Sequence, residues 1–288
     1  MRPIFWLLSL LPLTILHILG SLLGWLMYCF GKKNTALIRT NLNISKIYED
    51  YQDIESKVKS ICQHTCMSGL ELPIAWLRSP KHISTLFHHS DGWEHVQTAL
   101  EAKKGLLFIT PHIGSYDLAG RYISHQLPFP LTAMYRPPKL KWLEPIMNAG
   151  RQRDKGRTAP ANAQGVRLVL KALKNAEATI VLPDQVPSNG EGVWAPFFSE
   201  IAYTMTLAAR LAQVGNVATF FFIGERLPHS QGFCLHIKPL IGTLTGNKEH
   251  DATIINQNVE ALIKEYPEQY LFSYNRYKTP RGVIKPEE

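Results

Sequence analysis

The sequence predicts an α/β fold: a mixed, largely parallel sheet flanked by helices, with an N-terminal membrane-anchor helix. Three observations lead there. Short continuous apolar runs, opened by glycine or closed by proline, alternate with stretches of helical periodicity. A long uncharged segment fills most of the first 33 residues. No internal repeat and no Gly/Ser linker divides the rest of the chain, so the 288 residues read as an anchor, 1–33, and a single domain, 34–288. Hydrophobic residues make up 45% and charged residues 19%, which excludes a disordered or low-complexity chain. The formal net charge is +8, from 31 Lys and Arg against 23 Asp and Glu. That excess suits anionic lipid, a phosphorylated substrate or an acidic protein. It would also suit nucleic acid, but no nucleic-acid-binding motif accompanies it, so none is expected as a partner.

Residues 4–30, IFWLLSLLPLTILHILGSLLGWLMYCF, contain no Asp, Glu, Lys or Arg. As helix they would run roughly 40 Å, enough to cross a hydrocarbon core of about 30 Å with tilt. A secretory signal has a shorter apolar core and a small-residue cleavage site, and neither is seen, so the segment reads as a retained anchor. Trp6, Trp25 and Tyr28 lie near its ends, where interfacial aromatics belong. Pro12, Gly20 and Gly24 allow a bend and hence a helix lying in the interface; a buried core helix is the remaining alternative. Lys32 and Lys33, with Arg39 after them, favour a cytoplasmic C-terminal side, although Arg2 opposes them.

From 34 to 90 the pattern is helical, with Ile54, Val58, Ile61 and Cys62 on one face. A helix is expected from Trp93 to Ala102, with Asp91 its N-cap and Glu94 three residues on. GLLFIT (105–110), ATIVLP (178–183), VATFFFI (217–223) and FCLHIK (233–238) read as buried strands. Helices are expected at about 116–126, 140–152, 163–175, 203–213 and 251–265. The four cysteines, Cys29, Cys62, Cys66 and Cys234, make no disulfide framework, which fits a reducing compartment. Cys62 and Cys66 flank His64, but a zinc site wants a second ligand pair and none is found, so no metal is expected.

The chemistry-bearing pattern comes directly after the first strand. GLLFIT runs into PHIGSYDLAG. On one continuous helix His112 and Asp117 would diverge. They meet if His112 sits in the loop and Asp117 in the first turn of the next helix. Pro111 stops the strand, Gly114 permits a tight turn and Ser115 is a good N-cap. Strand ends are also where α/β folds place chemistry. His112 and Asp117 then form a base and its orienter. The bland alternative makes Asp117 a helix-terminus charge and His112 a satisfied loop residue. Ser115 lacks the G-x-S-x-G surroundings of a nucleophile.

PHIGSYD after a buried strand resembles the H-x4-D/E block of glycerolipid-type acyltransferases. Three further blocks agree: MYRPPKLKWLEPIMNAGRQR (134–153), IVLPDQVPSNGEGVWAPFF (180–198) and EYPEQYLFSYNRYK (265–278) are similar to blocks of the lipid A late acyltransferases, the lauroyl and myristoyl transferases of Gram-negative bacteria. Asp117 stands where that family usually has Glu, Asp184-Gln185-Val186-Pro187 departs from its D-Q/H-D-x-G loop, and YTMTLAARLA lacks its Gly-containing helix start. A Trp common in its last block is replaced near Leu271–Phe272.

The resemblance implies a glycerolipid acyltransferase-like fold over 34–288. It implies transfer of a fatty acyl chain from acyl-acyl carrier protein, a phosphopantetheine thioester, to a hydroxyl of a lipid A precursor, with no bound cofactor and no covalent intermediate. His112 and Asp117 are the implied catalytic pair. Arg151 and Asp184 are placed at the site, Arg151 to stabilise the oxyanion or grip a phosphate, with Arg136, Arg153 and Gln185 as neighbours. The implied location is the bacterial inner membrane, with the catalytic domain facing the cytoplasm, and membrane lipids are implied as further partners. Asp117 also suits a glycerol-phosphate or lysophospholipid acyltransferase; a non-catalytic lipid-binding protein is the alternative of another class. Separately, Arg167, Lys171 and Lys174 fall at i, i+4 and i+7, a basic stripe suited to docking an acidic carrier protein or merely a solvated helix face.

Overall fold

All four apolar runs form strands. The computed structural model describes residues 2–48, 54–138 and 140–286. Residues 49–53, within the stretch expected to be helical from 34 to 90, and Lys139, within the second acyltransferase-like block, lie outside the described residues.

A seven-stranded sheet is built from β1 (Phe87–Asp91), β2 (Gly105–Ile109), β3 (Leu131–Tyr135), β4 (Gly156–Pro160), β5 (Ala178–Val181), β8 (Val217–Arg226) and β9 (Phe233–Pro239), in the order β1-β9-β8-β2-β5-β3-β4. Strands β8, β2, β5, β3 and β4 are mutually parallel; β9 runs antiparallel to β8 and carries β1 parallel to itself at the edge. β6 (Gly192–Phe197) and β7 (Glu200–Met205) form a separate antiparallel hairpin. The largely parallel α/β expectation is therefore met.

Strand alternation divides the core into two layers. Leu107, Ile109, Val181, Phe221 and Ile223 face one side. There they pack under α9 (Ala163–Lys174), α10 (Leu207–Ala212) and α11 (Lys248–Glu265). Leu106, Phe108, Ile180, Phe220 and Phe222 face the other, with α6 (Trp93–Glu101) and α7 (Tyr116–Gln126). Helix α4 (Ile54–Leu77) belongs to both layers: Val58, Ile61 and Cys62 pack into the first, Ile74, Ala75 and Trp76 into the second.

The N-terminal apolar segment is two helices, not one. α1 (Arg2–Leu10) ends before Pro12 and α2 (Leu13–Phe30) begins after it, because proline has no N–H to continue the ladder but suits a helix start. α2 is long and apolar enough to cross a membrane. Yet Leu16, His17, Gly20 and Gly24 form a buried stripe against α4. A Cβ on Gly24 would come within 2.3 Å of the Gln63 Cα, so the two backbones touch only because that position is glycine. The opposite faces of α1 and α2 leave Trp6, Leu7, Ile18, Leu22, Trp25 and Phe30 exposed. α3 (Lys32–Ser45), α5 (Pro80–Ser84) and α8 (Glu144–Arg151) complete the fold.

Three local expectations are corrected. Asp91 is the last residue of β1, and the N-cap of α6 is Gly92 at φ +78°. Residues 203–205 end β7 rather than opening a helix, so α10 starts only at Leu207. Ser115 holds the N-cap position of α7, but its side chain caps no N–H.

Candidate active site

β2 and β5 are parallel neighbours, so their carboxyl ends emerge side by side. Ile109 is in register with Val181. Three residues beyond each comes a titratable side chain, after matching prolines: Ile-Thr-Pro-His112 and Val-Leu-Pro-Asp184. The equal offset brings them together. His112 Nδ1 lies 2.9 Å from Asp184 Oδ1, and the His112 backbone N–H donates to Asp184 Oδ2 at 3.0 Å. Both carboxylate oxygens are thus used on one residue. With Nδ1–H donated to the carboxylate, Nε2 keeps its lone pair and is the basic nitrogen. Gln185 Nε2 stands 3.3 Å from it, and the Tyr116 ring packs edge-on at 5.1 Å between centroids.

The loop holding His112 is tied down from three directions. Gly114 N–H donates to Gln269 O at 3.0 Å, Ser115 N–H to Gly224 O at 2.8 Å, and Leu271 N–H to His112 O at 3.0 Å. Ser68 Oγ, on α4, donates to Gly114 O at 2.9 Å. Gly114 sits at φ +57°, and a Cβ there would meet Gly224 O at 2.2 Å, so this turn requires glycine.

Asp184 is buried, its side chain 3% exposed, while His112 is 18% exposed. Burial would push the Asp184 carboxyl up. The His112 charge, the ring and backbone hydrogen bonds and the charge of Arg276 outweigh it, so the net shift is downwards and the carboxylate stays ionised. Arg276 is itself buried, donating to Tyr203 O and Thr204 Oγ1 and lying over the Phe197 ring.

The expected pairing of His112 with Asp117 is corrected by this geometry. Asp117, in the first turn of α7, receives Arg151 from the end of α8 through two hydrogen bonds, Nε to Oδ1 at 3.0 Å and Nη2 to Oδ2 at 2.6 Å. Such a fork-to-fork contact is the geometry guanidinium and carboxylate favour. Burial lowers the basicity of Arg151, but the Asp117 charge and hydrogen bond overcome this and leave it raised. Asp117 and Arg151 share a cleft with Thr110, Tyr116, Met134 and Ile180. Two pairs therefore replace the single one: His112–Asp184 and Asp117–Arg151, with Tyr116 between His112 and Asp117 in sequence.

Of the remaining candidates, Gln185 reaches the site and Arg136 touches its loop, donating to Val186 O at 3.3 Å. Arg153 turns away and donates to Leu77 O at 2.6 Å. Arg167, Lys171 and Lys174 lie on the exposed face of α9. Sequence reasoning missed Tyr116 and Arg276. It also missed the His112–Asp184 contact, for which the paired T-P-H and L-P-D strand ends were the available signal.

The site and the sequence blocks around it have a common match. The family model for bacterial lipid A biosynthesis acyltransferases matches residues 3–279. The chain is 27% identical over 286 residues to the lipid A biosynthesis lauroyltransferase of Escherichia coli K12, covering 97% of this chain and 91% of that protein. It is 26% identical over 277 residues to the palmitoleoyltransferase of lipid A biosynthesis from the same organism, covering 96% and 89%. A lipid A biosynthesis acyltransferase of Shigella flexneri is similar to the same degree, 26% over 277 residues.

Proposed function

The chain belongs to the bacterial lipid A biosynthesis acyltransferase family and is an acyltransferase, and from that premise we propose that it moves a fatty acyl chain from acyl-acyl carrier protein to a hydroxyl of a lipid A precursor, with His112 as general base. The observation that carries the mechanism is the double contact of Asp184 with the His112 ring and backbone.

In this reading His112 Nε2 takes the proton of the acceptor hydroxyl as its oxygen attacks the thioester carbonyl. Asp184 holds the ring in the tautomer with Nδ1–H and offsets the imidazolium charge. The acceptor hydroxyl replaces the Gln185 amide beside Nε2, and that amide then donates to the developing oxyanion. The tetrahedral intermediate collapses, the C–S bond breaks, and His112 returns the proton to the departing thiolate. Asp117 positions Arg151, whose charge lies beside the cleft and suits a phosphate of the acceptor or the donor. The basic stripe of Arg167, Lys171 and Lys174 offers the acidic carrier protein a dock.

Attachment to the membrane is read as interfacial. α2 is clamped along α4 by Gly20 and Gly24, while its other face and that of α1 present exposed apolar and aromatic side chains. A helix held this way lies with one side in the bilayer surface. The inner membrane, on its cytoplasmic face, is where a carrier-protein thioester and a lipid A precursor meet.

The test is reconstitution. Purified protein in detergent is given acyl-acyl carrier protein and a lipid A precursor, and both free thiol and acceptor mass are followed. One added acyl chain per released thiol supports the reading. Acylation of glycerol phosphate or lysophospholipid instead would overturn the acceptor, and binding without thiol release would overturn the enzyme.

A further inference from the structure

At the far edge of the sheet, β1, β9 and β8 bring chemistry-bearing side chains onto one face. The parallel register sets His89 opposite Cys234 and Asp91 opposite His236, and the antiparallel register sets Glu225 opposite Cys234 on its other side. Directly paired residues point to the same face of a sheet, and this is the face opposite Phe233, Leu235 and Ile237, which fill the core. Asp91 Oδ2 lies 3.0 Å from His236 Nδ1, and His89 Nε2 lies 2.5 Å from Asp91 Oδ1. One ligand atom each from Asp91, Cys234 and His236 falls within 4.8 Å of the others. A tetrahedral zinc ion spaces its ligand atoms about 3.3–3.8 Å apart, by its bond lengths of roughly 2.0–2.3 Å. Small side-chain shifts, opening the Asp91–His236 pair slightly, reach that spacing.

A second observation points the same way. His236 Nε2 is held by Glu225 Oε2 at 2.8 Å, and the ring stacks on Tyr266 at 5.3 Å between centroids. Metal-binding histidines almost always donate their other ring N–H to a carboxylate, a backbone carbonyl or water, which fixes the tautomer that leaves the ligating nitrogen bare. Glu225 is that acceptor at Nε2 and so leaves Nδ1, the nitrogen that faces Asp91, as the ligating one. Access comes from the Asp91 side, where the side chain is 52% exposed.

We propose that Asp91, Cys234 and His236 bind a borderline-soft divalent transition metal of the zinc type, with His89 the nearest candidate for a fourth ligand and Glu225 positioning His236. The donor set of thiolate, imidazole and carboxylate suits zinc or cobalt and not magnesium or calcium, which take oxygen alone. Binding displaces the Cys234 thiol proton. The ion would staple β1, whose ladder with β9 is interrupted by an irregularity between Phe87 and His89, to the body of the sheet. The site shares no residue with the acyl-transfer reading and stands apart from it.

The test uses full-length protein in detergent, stripped with chelator, then equilibrated with one equivalent of Zn²⁺ or Co²⁺ and passed through gel filtration. One metal per chain is expected, and with Co²⁺ a thiolate-to-cobalt charge-transfer band. Cys234→Ser removes that band. His236→Gln abolishes retention. Glu225→Gln weakens affinity about 10–100-fold, the usual effect of losing an outer partner. The exposed Asp91→Asn covers the case in which a buried substitution misfolds, and it too lowers affinity at least tenfold. No metal retained by the wild type overturns the proposal. So does equal retention by wild type, His236→Gln and Asp91→Asn, which would put the ion elsewhere.

Discussion

Replacing Asp184 by Asn is the sharpest probe of the site, because the two side chains have one shape and differ in what their ends can accept. Asp184 receives two donors from His112, its ring at 2.9 Å and its backbone N–H at 3.0 Å. An amide has one acceptor and one donor end. The backbone N–H cannot change, so the amide oxygen must face it. The NH2 then faces Nδ1, which can meet it only as an acceptor. The ring is driven to the Nε2–H tautomer and Nε2 loses the lone pair that takes the acceptor's proton. The loss of the buried negative charge also leaves the imidazolium unsupported. The expected fall in kcat is about 10²–10⁴, the range for losing a general base, or about 2.7–5.4 kcal/mol of barrier. Thiol release measures the rate, and ring nitrogen NMR shifts read the tautomer directly: Nδ1–H in the wild type, Nε2–H in the variant. A folded Asp184→Asn protein with more than about a tenth of the wild-type rate and an unchanged tautomer would refute the reasoning.

Asp117→Asn breaks the forked contact with Arg151 and leaves a largely buried guanidinium unpaired, so stability should fall by about 3 kcal/mol and Asp117→Glu should recover part of it; an unchanged Tm for Asn would mean that the pair is not holding α7 and α8 together. Reversing Arg167, Lys171 and Lys174 to Glu should raise KM for the carrier-protein substrate and flatten the salt dependence of kcat/KM, leaving kcat and transfer from a short acyl-pantetheine alone; wild-type KM and salt dependence would make the stripe a solvated face. Burial, and then the Arg226 charge, lower the His64 pKa from 6.5 to about 4. The unfolded chain therefore binds more protons between those values, stability is full above pH 6.5, and it declines as pH falls towards 4 by on the order of 3 kcal/mol. His64→Gln, whose carbonyl still accepts from Arg226, should flatten urea-derived stability over that window, and an unaltered slope would assign the titration to another group.

Four strands were legible because β2, β5, β8 and β9 are buried on both faces or nearly so and read as continuous apolar runs. The edge strands were not. β1 is FHHSD and β4 is GRTAP, polar sequences whose strand character comes from a neighbour's ladder rather than from their own side chains. The β6–β7 hairpin was hidden by Pro196 and by an apolar stretch, Ala202 and Tyr203, that suits a helix start equally well. At the site, reasoning along the chain paired His112 with its neighbour Asp117. The sheet instead pairs it with Asp184, and that adjacency depends on β2 and β5 lying side by side, which no local spacing encodes. The N-terminal helix was legible as apolar, but its buried His17 was not distinguishable from the exposed residues around it.

That histidine gives α2 a structural office. His17 Nε2 lies 2.9 Å from Glu71 Oε1, and Glu71 also takes Arg226 of β8 through both oxygens, at 2.5 and 2.8 Å. Burial would push the Glu71 carboxyl up; Arg226 and His17 reverse that and hold it at about 2. α2 thus closes over a buried charged knot between α4 and β8. Cutting at residue 33 would not trim a tail. It would strip α4 of its cover and wet a carboxylate–guanidinium pair that now sits in the dry, on the strand whose Gly224 carbonyl accepts from the Ser115 N–H beside the His112 loop. α2 is therefore part of the packed body, and the boundary that composition draws after residue 33 is not a boundary of the fold.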